Sequence, residues 1–266
     1  PTRRSSDLVW LYDARGESVA EALRFNRELL ERSLAKGRLS AEALDATLAR
    51  MRPASTLQEL AGCDLLIEAI VENLEAKQAL FVELEALVAE DAVLATNTSS
   101  LSVTRIAAAC RHPQRVAGFH FFNPVPLMKL VEVVRGERTS DEVLATAMAI
   151  GKQLKKVSVV VGVCDGFVGN RMVFQYGREA EFLLEEGATP QQVDAALRNF
   201  GMAMGPFAMR DLSGLDIGQA IRKRQRATLP AHLDFPTVSD KLCAAGMLGQ
   251  KTGAGYYRYE PGNRTP

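Results

Sequence analysis

Apolar residues in the first 165 positions of this 266-residue chain follow two alternating rhythms. Short apolar runs bounded by polar clusters, at 8–13, 64–70, 92–97 and 157–161, read as buried strands. Between them the apolar positions recur at helical spacing. Val19, Leu23, Leu29, Leu30 and Leu34 share one side of a helix over 17–36, with Gly37 as its stop. Ser40 caps a second helix through Met51, which Pro53 ends, and further helices are predicted over 74–88, 103–109 and 140–155. Strands alternating with helices predict α/β: a doubly wound, parallel sheet covered on both faces. After a boundary near 162–165 the patterns turn helical, over 167–186, 190–199, 211–222 and 238–245, with 201–206 and 226–236 as connections. This half predicts an all-α domain.

Composition narrows the function classes. Lys+Arg and Asp+Glu balance at 32 each, so bulk charge implies no nucleic-acid partner. Cys63, Cys110, Cys164 and Cys243 are scattered, with no C-x-x-C and no cluster of histidines near them, which fits reduced thiols and gives no metal set. No apolar run reaches the ~18 residues of a membrane span, and no signal-peptide core is present. The expected setting is bacterial cytoplasm, with mitochondrion or peroxisome left open.

The stretch Gly118-Phe119-His120-Phe121-Phe122-Asn123-Pro124-Val125-Pro126 carries the clearest chemistry. Proline fixes φ and disfavours helix before it, so the chain turns here. The apolar run through Leu130-Val131-Glu132 can then return beside the first and bring Glu132 towards His120. A histidine oriented by a carboxylate is a proton carrier. Glu132 also sits among apolar neighbours, where a carboxylate needs a partner.

Ligands of open α/β sheets bind beyond the carboxyl ends of the strands. Asp13 closes the first strand, Asn97-Thr98-Ser99-Ser100 closes a later one, and His120 nearly closes the next. Asp13 reads either as an acid for ribose hydroxyls or as a helix cap. The G-x-G-x-x-G turn that seats a pyrophosphate on backbone N–H groups occurs nowhere in the chain. The polar segment 1–7 stands where that unit belongs and reads as a foreign leader on a truncated protein.

The motifs Ala69-Ile70-Val71-Glu72-Asn73, Asn97-Thr98-Ser99-Ser100, Gly118-x-His120-Phe121-Phe122-Asn123-Pro124, Leu130-Val131-Glu132 and Gly166-Phe167-x-x-Asn170-Arg171 occur in the order seen in L-3-hydroxyacyl-CoA dehydrogenases. So do Gly205-Pro206-Phe207, Asp211 and Gly214-Leu215-Asp216. The resemblance spans 8–259. The ending Leu248-Gly249-Gln250-Lys251-Thr252-Gly253-x-Gly255-Tyr256-Tyr257 most resembles the dehydrogenase region of multifunctional β-oxidation enzymes, where a hydratase domain precedes and a further helical domain follows.

The resemblance implies a Rossmann-type sheet lacking its first strand and phosphate turn (8–163), a helical domain (164–258) and a linker or truncated tail (259–266). It implies NAD as cofactor and acyl-CoA as substrate. His120 would take the hydroxyl proton and Glu132 would hold it. Ser99 and Asn170 would bind the substrate oxygen. Asp13 would bind the adenine ribose, and Glu72, Lys77 and Asn97 would line the nicotinamide half. It further implies either a homodimer or packing against another helical domain. This exact chain is expected to fold poorly or bind NAD weakly, so an inactive fragment is the alternative.

Plainer roles compete with several of these. Ser99 can cap the following helix, and Asn170 can be a surface residue. His112 and His232 fall in polar segments and read as solvated, Phe121 and Phe122 read as core, and the basic run from Arg222 to Arg226 reads as a solvated patch. Ser99, His120 and Glu132 also spell a hydrolase triad, but the chain has no G-x-S-x-G elbow and its Ser–His–Glu order is not that of α/β-hydrolases.

Overall fold

The computed structural model describes residues 8–226, 230 and 234–260, so the leader 1–7, His232 and 261–266 lie outside the described residues. The chain separates into two compact units between Phe167 and Val168.

In the first unit β1 (Val9–Leu11) leads into α1 (Gly16–Ala35) and α2 (Ala41–Leu48), the latter capped by Ser40, whose hydroxyl accepts from Ala43 N. The second helix stops before Met51. Residues Met51–Pro53 instead form β2, parallel to β1, and Ala54 N donates to Leu11 O. The main-chain groups of this short tail are satisfied by β1, and Pro53 is tolerated because β2 is an edge strand.

A second sheet has the order β3 (Leu65–Glu68), β4 (Val93–Thr96), β5 (Val116–Phe121), β6 (Leu130–Arg135), β7 (Val157–Gly162). Strands β3, β4 and β5 run parallel, β6 is antiparallel to β5, and β7 follows β6. The sheet is therefore mixed rather than parallel throughout, because the 122–129 turn sends the chain straight back beside the strand it leaves.

Side chains alternate between the two faces with period two. One face packs Leu94, Val116 and Val134 against α3 (Leu74–Leu87) and α4 (Val103–Ala107) through Phe81, Leu84, Val103 and Ile106. The other packs Ala95, Phe119, Val131 and Val133 against Leu144 and Ala147 of α5 (Asp141–Gln153). Gly118 sits where the layers are closest: a Cβ there would lie 2.6 Å from Val134 Cβ and 3.0 Å from Val103 Cγ2.

The second unit is helical: α6 (Gly169–Glu185), α7 (Pro190–Phe200), α8 (Pro206–Ser213), α9 (Leu215–Arg226) and α10 (Val238–Ala244). The helix expected over 211–222 is broken at Gly214, whose φ of +98° no helix accommodates. Two buried acids organise this unit. Asp194 accepts from Phe207 N, Ala208 N and Tyr257 Oη, closing the open amino end of α8. Asp211 accepts from Tyr256 N, Tyr257 N and Tyr259 Oη. The Gly-Pro-Phe, Asp211 and Tyr-Tyr motifs thus hold one another in place. Arg222 corrects the reading of its basic run: it is buried, its guanidinium donating to Asp240 Oδ1 at 2.7 Å, while Arg226 reaches Asp240 Oδ2 at 2.6 Å. No helix among the described residues is long and apolar enough to cross a membrane.

Candidate active site

The β5–β6 pairing sets His120 directly opposite Glu132. Both project from the sheet face that carries Val116 and Val134, since each is an even number of residues away. His120 Nδ1 lies 2.8 Å from Glu132 Oε2, and both side chains are buried, at 5% and 2% exposure. A carboxylate offers only acceptors, so Nδ1 carries the hydrogen and Nε2 keeps the lone pair able to take a proton. Among the described residues Nε2 makes no hydrogen bond. Phe122 and Phe167 pack on the ring, at centroid distances of 4.6 and 5.6 Å. Phe122, expected in the core, is half-buried and belongs to the imidazole's wall. Phe121 is also half-buried and packs edge-on against Phe119. Phe167 is fully buried at a φ of +47°, uncommon for a bulky residue, and Cys164 Sγ donates to its carbonyl.

The carboxyl ends of β3 and β4 lie at the same end of the sheet as His120. Asn97 N donates to Glu68 O, and Asn97 Oδ1 accepts from Phe121 N at 2.9 Å, tying the end of β4 to the end of β5. The turn that follows is built round a carboxylate. Glu72 Oε1 accepts from Thr98 Oγ1 at 2.5 Å, Ser99 N at 3.1 Å, Ser100 N at 3.0 Å and Ser100 Oγ at 3.0 Å. Burial alone pushes the Glu72 carboxyl up, but the Thr98 hydroxyl, Lys77 and the Ser100 donors outweigh it and hold it below the ordinary carboxylate value. Ser99 is exposed on this turn, and among the described residues its hydroxyl has no partner. It does not cap the next helix; Ser102 does, accepting from Arg105 N. The Ser–His contact that a hydrolase triad needs is not made.

Lys77 is 1% exposed, its ammonium 2.5 Å from Glu68 and 3.4 Å from Glu72. Glu68, an acid the sequence pattern did not single out, is equally buried. The signal for it was the one used for Glu132, a carboxylate closing an apolar strand run. Asp13 lies just past β1, partly exposed, and accepts from Arg15 N at 2.7 Å; Arg15, not Asp13, is the residue preceding α1. Asn170 is the second residue of α6, in the second unit. His112 is exposed. Among the described residues no group of three or more His, Cys, Asp or Glu side chains could hold a metal ion.

The donor chemistry suits the two ends of a dinucleotide: Asp13 offers an exposed acid just past a strand end, and the turn carrying exposed Ser99 follows Asn97, which is bonded to the end of β5. The chain contains no G-x-G-x-x-G to seat the pyrophosphate between them.

Residues 5–164 match the 3-hydroxyacyl-CoA dehydrogenase NAD-binding domain, and residues 166–259 match the C-terminal domain of 3-hydroxyacyl-CoA dehydrogenase. The chain is 44% identical over 260 residues to the peroxisomal bifunctional enzyme of Danio rerio, covering 91% of this chain and 36% of that protein. It is 38% identical over 258 residues to the fatty acid oxidation complex subunit alpha of Psychrobacter arcticus, covering 96% of this chain and 36% of that protein. It therefore spans about a third of the length of these relatives. The crystal structure of 3-hydroxybutyryl-CoA dehydrogenase from Escherichia coli K12 matches with a TM-score of 0.90 at 39% identity, over 97% of this chain and 55% of that one.

Proposed function

Because the chain belongs to the 3-hydroxyacyl-CoA dehydrogenase family, we propose that it oxidises the C3 hydroxyl of an L-3-hydroxyacyl-CoA to the 3-oxo thioester with NAD⁺. The observation that carries this reading is the buried His120–Glu132 pair at the carboxyl end of the sheet. Bound NAD⁺ supplies the acceptor for the hydride that leaves C3. His120 Nε2 takes the hydroxyl proton, and Glu132 stabilises the imidazolium that results. Phe122 and Phe167 keep water from the ring, which strengthens that electrostatic pairing. Ser99 donates its hydroxyl to the C3 oxygen. Asn170 is assigned to the substrate on the resemblance alone. Asp13 would hold the adenine ribose, and an acid at that position favours NAD over a 2′-phosphorylated cofactor. Glu72, Lys77 and Asn97 serve the nicotinamide half by shaping the turn that borders it.

NADH consumption with acetoacetyl-CoA tests the reading, on this chain and on the same chain carrying a strand, a G-x-G-x-x-G turn and a helix ahead of Leu8. The expected result is turnover once that segment is present, which His120→Gln lowers by about 10²–10⁴-fold, the usual contribution of a general acid–base. Release of CoA thiol without NADH consumption would replace it with the hydrolase reading.

A further inference from the structure

We propose that Glu68 is a positioning residue for this site, acting through Lys77 and Glu72 on the turn that presents Ser99. The inference rests on the dehydrogenase reading, which gives that turn its task. Lys77 Nζ donates to Glu68 Oε1 at 2.5 Å and to Ile70 O at 3.3 Å, and forms an ion pair with Glu72 Oε2 at 3.4 Å. Buried to 1%, it has no water to turn to instead. Its direction is therefore set by its shortest contact, the one to Glu68.

Glu68 is itself held on both oxygens. Ile70 N donates to Oε1 at 2.6 Å and Thr96 Oγ1 to Oε2 at 2.7 Å. Two routes then lead from Glu68 to the turn. One passes through Lys77 to Glu72, whose other oxygen gathers Thr98, Ser99 and Ser100. The second passes through Thr96 Oγ1, which accepts from Thr98 N at 3.2 Å. Loss of the Glu68 charge leaves Glu72 as the only nearby anion for a buried ammonium among the described residues. Lys77 then draws Glu72 off the turn, and the Ser99 and Ser100 N–H groups lose their acceptor.

Site-resolved amide hydrogen exchange on the chain, without substrate, reads this directly. Glu68→Gln should speed exchange at Ser99 and Ser100 by about tenfold or more, the effect of one lost charge-assisted hydrogen bond, with the amides of β4 and β5 unchanged. Because a lone buried ammonium destabilises the fold, Glu68→Gln/Lys77→Met is run beside it. With no ammonium left to draw Glu72 away, that pair should regain stability and return exchange at Ser99 and Ser100 to the parental rate. Parental exchange in Glu68→Gln, or a turn as loose in the double variant as in the single one, would overturn the proposal. So would equal loosening throughout β3–β5, which would make Glu68 a general core residue. Exchange does not depend on turnover, so a protein that stays inactive even with the G-x-G-x-x-G segment added would refute the dehydrogenase reading and leave this result standing.

Discussion

Replacing Glu132 by glutamine keeps the shape of the side chain and one oxygen for His120 Nδ1, but removes the negative charge. That charge matters only once the imidazole has taken a proton. In the resting structure Nδ1 and Oε2 are 2.8 Å apart with both groups buried. The centres of the two charges are then roughly 4 Å apart, where a pair at an effective dielectric of about 20 gains about 4 kcal/mol. With the proton half transferred the gain is about 2 kcal/mol, or ~30-fold in rate. Glu132→Gln is therefore expected to lower kcat for NAD⁺-dependent oxidation of a short L-3-hydroxyacyl-CoA by ~30-fold and to leave KM for the thioester near the parent value. The pair acts in the transition state and not on substrate binding. A thermal melt run alongside separates this from loss of fold. A well-folded Glu132→Gln protein with kcat within about twofold of the parent would refute the argument that Glu132 stabilises the imidazolium.

Other expectations follow from the packing and the hydrogen bonds. Gly118→Ala places a methyl group 2.6 Å from Val134 Cβ, and overpacking of this kind costs about 1–3 kcal/mol, readable as a lower denaturant midpoint. Asp194→Ala strips the acceptor from Phe207 N, Ala208 N and Tyr257 Oη. It should cost about 2–4 kcal/mol in unfolding experiments, and a change below about 0.5 kcal/mol would show that these contacts are not what holds α8. Glu72 is held below its ordinary carboxyl value. Its contribution is therefore complete above the unfolded carboxyl value and fades as pH falls through the lowered folded one. The Ser99 and Ser100 amide resonances should shift only in that acid range; a midpoint at or above the ordinary carboxyl value would mean that burial, not the Thr98, Lys77 and Ser100 donors, governs this carboxylate.

Local rhythm made much of this legible. The two apolar runs Val116–Phe121 and Leu130–Arg135, with prolines between, were enough to bring Glu132 back towards His120, because both arms of a hairpin lie in one short stretch; the register that sets them directly opposite came from the structure. Residues Met51–Pro53 carry no such rhythm. Three residues with an arginine and a proline become a strand only because β1 is there to pair with them. The break at Gly214 was hidden for a related reason: the apolar spacing runs on through it, and only the positive φ of one residue separates α8 from α9. The Glu68–Lys77 pair was illegible as a pair, since its members sit on a strand and a helix and meet only when α3 packs down. Arg222 looked solvated for want of sight of Asp240, eighteen residues away.

The β5–β6 hairpin makes the proposed acid–base couple a portable part. His120, Glu132 and the turn between them form one contiguous segment, while Asp13, Glu72 and the Ser99 turn, proposed for the dinucleotide, lie on other stretches of chain. On that reading, proton handling and cofactor capture can be altered separately. A variant in the hairpin and a variant in the Ser99 turn therefore probe separate parts of the proposed site.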